Sequence, residues 1–372
     1  MHYKTKNQST NLMTEKSANS SEPPVILQAD FEQITRIVSA QFQTDDAFLE
    51  HGIPTYYLKQ PQETKEAFLK VLKDLEPMKL IPILRKEESR IVLRAIPKPP
   101  VKPSNTLINW ILLLATVGTT FITGYMMSPE VINPYVGGAS FTAAMLAVLG
   151  THEMGHKITA NKKGIDATLP YFIPGPPPFG TFGAVIMQKS LPPNRDSLFD
   201  IGADGPIAGF IIATIVSFAG LLMLVPSPTV PATKIGEPVL WILIRRALEG
   251  LNLFPQDPLN GMLLLHPFAF AGWVGLVVTM LNLLPAAMLD GGHVARSILG
   301  EKPRLVLSAL SVIYLFMVGF YPMAFLVLLM SMYKHPGPLD DVSSLSKGRK
   351  LIAIGLIAIF VMCIFPTLQV FG

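Results

Sequence analysis

Cysteine is nearly absent. Cys363 is the single thiol in 372 residues, which excludes both a disulfide framework within the chain and a cysteine-cluster metal site. Charge is scarce too: Asp, Glu, Lys and Arg make up 15% of the residues and the net charge at pH 7 is +4. The basic residues stand in short groups beside apolar blocks, without the interleaved aromatics of a nucleic-acid surface, so no nucleic-acid partner is expected. Residues 1–24 are rich in Ser, Asn, Lys and Thr and hold no apolar h-region. They read as a disordered polar tail and not as a signal peptide. What the chain has in excess is apolar surface, with 50% hydrophobic residues and a mean hydropathy of +0.42. It comes in blocks that reach the roughly 20 residues needed to cross a hydrocarbon core. The expected fold class is an α-helical multi-span membrane protein.

Between the tail and the first apolar block, residues 25–97 have the composition of a small soluble α+β domain. Asp30 and Gln33 suggest a capping box ahead of Ile34, Ile37, Val38 and Phe42 at helical spacing. A second amphipathic helix is expected over 61–75, and two strands over 80–84 and 91–96. Residues 98–106 form a stiff Pro/Lys linker, and 107–372 form the membrane-embedded part. About six transmembrane segments are expected, at 107–127, 136–160, 201–225, 263–284, 305–332 and 351–371. The block 305–332 carries Tyr321 and Pro322 in its middle, so it is either one tilted, kinked helix or two short antiparallel pieces. The basic residues Lys334, Lys347, Arg349 and Lys350 that follow favour two pieces. Lys157, Lys162 and Lys163 put the end of the second span on the cytoplasmic side, together with the N-terminal domain. Trp110, Trp241 and Tyr333 are expected as interface anchors.

The chemistry begins with His152-Glu153-Met154-Gly155-His156 at the end of that second span. On a helix, positions i and i+4 share a face, so two imidazoles can reach one zinc ion while Glu153 stands beside it as general base and acid. Ionisable groups inside a span are expensive and mark function. A catalytic zinc takes three protein ligands and keeps one position open. Asp290, at the end of an inward-running span, reaches the same depth as His156; His293 is the rival donor. His335, Asp340 and Asp341 fall in what reads as a solvated loop.

The HEMGH motif, with Asn282-Leu283-Leu284-Pro285 running into Leu289-Asp290-Gly291, resembles the site-2 protease family of intramembrane zinc metalloproteases. The resemblance covers the chain from about Leu107 to its end. It implies one catalytic zinc held by His152, His156 and Asp290, Glu153 as acid/base, and Asn282 near the substrate carbonyl as an amide donor to the developing oxyanion. Phe179-Gly180-Thr181-Phe182-Gly183-Ala184-Val185 is similar to the family's β-hairpin insertion near the active site. Gly183, Ala184 and Val185 would there receive substrate as an added strand, with Gly183 allowing close approach. Gly205-Pro206-Ile207-Ala208-Gly209 resembles the small-residue motif of the third core span, where helix packing is the expected role. An N-terminal soluble domain before the spans looks most like the branch shared by archaea, cyanobacteria and plastids.

The expected activity is hydrolysis of peptide bonds within or next to transmembrane segments of membrane-protein substrates. The expected setting is the cell membrane, with the active site and the N-terminal domain on the cytoplasmic side. The alternative is a divalent metal transporter with His152, His156 and Asp290 as transit ligands.

Overall fold

The structure, a computed structural model, describes residues 28–100, 103–227, 235–254 and 262–366. The expected tail at 1–24, two residues of the linker and the last part of the final apolar block lie outside the described residues.

The chain opens with α1 (Gln28–Ser39), β1 (Thr44–Glu50), β2 (Ile53–Leu58), α2 (Lys65–Leu75), β3 (Leu80–Glu87) and β4 (Arg90–Pro97). The strands make one antiparallel sheet in the order β1-β2-β4-β3. On β3, Leu80, Pro82 and Leu84 alternate inward. With Tyr56, Leu58 and Leu93 they meet Ile34, Val38, Phe68, Val71 and Leu75 from the two helices in a single core. The hairpin β1–β2 is not legible in the sequence pattern. Its turn is His51-Gly52, both at positive φ, the backbone a two-residue hairpin turn requires, and Asp45 and Asp46 on β1 disfavour a strand by propensity. Two helix starts also differ from expectation. Helix α1 is already formed at Gln28, so Asp30 sits in its first turn, where it complements the helix dipole instead of capping. Helix α2 starts at Lys65 after Thr64, because Gln62 is held by bonds to the Gln43 and Lys59 backbone.

The remainder is mostly helical: α3 (Thr106–Met126), α4 (Pro134–Lys162), β5 (Tyr171–Pro174), β6 (Thr181–Val185), α5 (Arg195–Leu222), β7 (Val225–Ser227), α6 (Val239–Gly250), β8 (Met262–Leu264), α7 (Pro267–Leu283), α8 (Asp290–Leu299), α9 (Glu301–Met317), α10 (Tyr321–Ser331) and α11 (Lys347–Cys363). Among the described residues, three helices, α3, α4 and α5, are long and apolar enough to cross a membrane. Helix α5 starts at Arg195, ahead of the apolar block at 201, because Asn194 Oδ1 accepts the Ser197 N–H as an N-cap. At 17 residues, α7 is shorter, and it is buried on nearly every face between α4 and α5. Trp241 on α6 lies buried in the same core, so it does not serve as an interface anchor. Trp110 and Tyr333 are exposed.

The block 305–332 is two helices. The break is at Gly319, at φ +83°, and the two pack against each other. The chain then returns to where α9 began: the His335 N–H lies 3.4 Å from Glu301 Oε1.

Candidate metal and active site

His152, Glu153 and His156 lie on the last third of α4 and are all buried. Asp290 is the first residue of α8, delivered there by a tight corner after α7. Arg304, fully buried on α9, donates to the Ala287 carbonyl at 2.9 Å. Ser308 Oγ accepts the Ala287 N–H at 3.0 Å, and Ala287 itself sits at φ +48°. Gly291 and Gly292 are required at this corner, since a Cβ on either would stand within 2.5 Å of a backbone carbonyl oxygen.

The three sequence candidates converge. His152 Nε2 and His156 Nε2 are 3.1 Å apart, and each is 3.2 Å from Asp290 Oδ2. Four ligands arranged tetrahedrally at about 2.0–2.1 Å from a zinc ion are separated by about 3.3 Å. Two imidazole nitrogens and one carboxylate oxygen at these separations therefore fit such an ion, with a fourth direction left open. Among the described residues this is the only group of three potential metal ligands so placed.

The His156 ring is oriented from behind, where Nδ1 lies 2.6 Å from the Ile201 carbonyl of α5. As donor to that oxygen, Nδ1 carries the proton, which leaves the Nε2 lone pair directed at the cluster, as a metal ligand would require. His293 does not join the cluster: its Nδ1 is 2.7 Å from His335 Nε2. Asn282, near the end of α7, does approach, with Nδ2 3.4 Å from His152 Nε2. The carboxylate of Glu153 interacts with the backbone of Ile186, the residue after β6.

Helix α5 carries what sequence reasoning assigned only to helix packing. A Cβ on Gly205 would stand 2.1 Å from His156 Nε2, one on Gly209 3.0 Å from His152 Nδ1, and one on Gly202 2.8 Å from the Asp290 carbonyl. The three glycines clear one face of α5 for both histidines and for the start of α8. The spacing of Gly205 and Gly209 is the small-residue signal for close helix approach; the sequence did not tell that the neighbours would be the site histidines.

The hairpin pairs Tyr171 with Val185, Phe172 with Ala184 and Ile173 with Gly183. It is moored to α3, where Thr119 Oγ1 donates to the Gly180 carbonyl at 2.7 Å and Asn109 Nδ2 to the Leu169 and Pro170 carbonyls. Gly183 has open space at its Cα and a φ of +103°. No protein group crowds it, and the backbone conformation is what calls for glycine there.

The segment holding His335, Asp340 and Asp341 is not a solvated loop. His335 and Asp340 are buried, and Asp341 is paired with Arg195 and Arg296. Charged residues in a Pro-rich stretch gave no sign of partners so far away in sequence.

A model of peptidase family M50 matches residues 140–328, half of the chain and all of the site. The chain belongs to peptidase family M50, the site-2 proteases. Among curated proteins, this M50 member is 28% identical over 304 residues to the Arabidopsis thaliana protein named probable zinc metalloprotease EGY2, chloroplastic, covering 76% of this chain and 53% of that protein. It is 30% identical over 250 residues to Arabidopsis EGY1, a match covering 64% of this chain and 44% of the relative. The EGY1 of Oryza sativa subsp. japonica is 30% identical over 257 residues, covering 66% and 43%. The M50 chain thus spans about half the length of the curated relatives it matches. No solved structure matches it.

Proposed function

We propose that the protein is a membrane-embedded zinc metalloprotease that hydrolyses peptide bonds within or beside transmembrane segments of other membrane proteins. The observation that carries this reading is the triangle of His152 Nε2, His156 Nε2 and Asp290 Oδ2, with sides of 3.1, 3.2 and 3.2 Å, next to a buried carboxylate that is not part of it. A zinc ion held by these three residues would supply an acidified water and a charge that polarises the scissile carbonyl. Glu153 takes the proton of the attacking water and returns it to the departing amide nitrogen. Asn282 donates its Nδ2–H to the carbonyl oxygen as negative charge builds there.

Substrate is received at β6. A transmembrane helix keeps its peptide bonds inside its own hydrogen bonding and must be drawn out before it is cut. Gly183, Ala184 and Val185 offer backbone to such an extended segment by strand addition, and the open space at Gly183 supports that approach. The bilayer is crossed by α3, α4, α5, α7 and α11, with α9 and α10 dipping in and out. At about 1.5 Å per residue, the 11 residues of α10 are too short to cross alone, and α10 packs back against α9 across the break at Gly319. The soluble domain at 25–97 and the site share the cytoplasmic side, where Lys157, Lys162, Lys163, Lys334, Lys347, Arg349 and Lys350 gather.

The test is cleavage of single-span fusion substrates by the purified full chain, wild type beside Glu153→Gln, with the new termini mapped. Cleavage within the span by wild type alone, with zinc retained by both, is the expected result. Equal cleavage by both versions, or none by either, overturns the proposal.

A further inference from the structure

Asp341 touches three parts of the molecule at once. Its Oδ1 accepts from Arg195 Nε at 3.1 Å and from Arg296 Nη1 at 3.0 Å, and its Oδ2 accepts from Arg296 Nη2 at 2.7 Å. Its backbone carbonyl accepts from Arg195 Nη2 at 2.8 Å. Arg195 opens α5, the helix whose Ile201 carbonyl orients His156. Arg296 lies on α8, the helix that begins with Asp290. Each guanidinium stands six residues, about 9 Å of helix, from the group it would steady. A second link runs alongside. Gly337 N–H donates to His335 Nδ1 at 2.9 Å, so His335 Nε2 carries the proton and donates to His293 on α8.

The position of Asp341 is fixed in turn by the N-terminal sheet. Leu84 N–H donates to the Leu339 carbonyl and Asp341 N–H to the Leu84 carbonyl, so the segment runs parallel to β3 along its outer edge. Arg85 Nη1 donates to the Leu339 carbonyl at 2.7 Å, and Leu339 is buried in the core of the sheet domain. On its other side, Leu339 and Asp340 donate to the Pro192 and Pro193 carbonyls just before α5.

We propose that Asp341 is a positioning residue for the metal site: it locks α5 and α8 at the separation the His156–Asp290 pair requires, and the N-terminal domain sets that lock through Leu84 and Arg85. The domain thereby acts on the chemistry, beyond being tethered to it. This rests on reading His152, His156 and Asp290 as a zinc site.

The experiment measures Zn2+ affinity of the full chain in detergent by competition with a fluorescent chelator, alongside the visible spectrum of the Co2+-loaded protein and kcat and KM for a fusion substrate. Partners that orient metal ligands typically govern affinity by about 10- to 100-fold. Asp341→Asn should weaken zinc binding within that range, shift the Co2+ bands and lower kcat with KM little changed. Arg85→Ala, which removes the hydrogen bonds to the Leu84, Pro336 and Leu339 carbonyls, should weaken it at least threefold, and Arg85→Lys should restore part of the loss. Arg94→Ala, in the same sheet but paired with Glu50 and Glu87, should leave affinity unchanged. Wild-type affinity in both Asp341→Asn and Arg85→Ala overturns the proposal; if Asp341→Asn does not fold, Arg85→Ala decides alone. Wild-type affinity in Asp290→Ala would instead overturn the zinc-site reading, and this proposal with it.

Discussion

Gly205 on α5 and His156 on α4 meet with no room for a methyl group between them: a Cβ on the glycine would stand 2.1 Å from the imidazole Nε2. Helix propensity alone would favour alanine over glycine by about 1 kcal/mol. The contact therefore sets the two demands in opposition. Gly205→Ala should keep the chain folded and empty the site, with zinc per chain falling close to zero by mass spectrometry and cleavage lost. Gly209→Ala, 3.0 Å from His152 Nδ1, should lose far less, because that contact needs only a few tenths of an ångström.

Asn282 should separate binding from turnover. Its Nδ2 lies beside His152 Nε2 without being a metal ligand, and removing one donor to a developing oxyanion typically costs about 10²–10³ in kcat. Asn282→Ala should show that loss with KM and zinc content nearly unchanged. A variant with a raised KM and normal kcat would make Asn282 a binding residue only.

The mooring of the hairpin to α3 can be read by hydrogen exchange. Thr119→Val deletes the bond to the Gly180 carbonyl, worth about 1 kcal/mol net. The amides of Gly175 and Gly180, which close the turn between β5 and β6, should exchange roughly fivefold faster by the same energy. Amides of α7 should not change.

In the N-terminal domain, burial pushes the Tyr56 phenol up from 10 to about 12, against a smaller opposing contribution from its hydrogen bond with Thr35. A phenol whose pKa is raised on folding stabilises the domain fully below pH 10, and that contribution fades as pH climbs from 10 to 12. Tyr56→Phe should flatten this part of the stability profile in chemical denaturation, and the wild-type absorbance titration should show one tyrosine ionising late.

The sequence was most informative where chemistry is written locally. HEMGH puts two candidate ligands and a carboxylate on one turn of helix, and the Asn282 to Asp290 stretch offers the distant candidate, so the three groups that the fold brings together are legible in the sequence. Apolar blocks placed both ends of α3 and α4 within two residues, while α5 starts six residues ahead of its block because of the Asn194 cap. What stayed hidden depends on contacts far apart in the chain. His335 and Asp341 looked like ordinary loop residues because their partners, His293 and Arg296, lie some forty residues upstream. The hairpin β1–β2 stayed hidden because its turn uses histidine at positive φ and its first strand carries aspartates. Trp241 was misplaced since amphipathic α6 buries its tryptophan in the protein core and not in the headgroup region.

The corner held by Arg304 at Ala287 has a consequence for engineering. Because Asn282 lies on the helix before that bend and Asp290 opens the helix after it, one extra residue between them would rotate the aspartate away from its partners while leaving every helix intact. Insertional scanning should therefore find an intolerant stretch at 284–289, flanked by helices that accept conservative substitution. An affinity tag or fluorescent reporter belongs elsewhere, for instance at the His51-Gly52 turn, far along the sheet from the edge that touches Asp341.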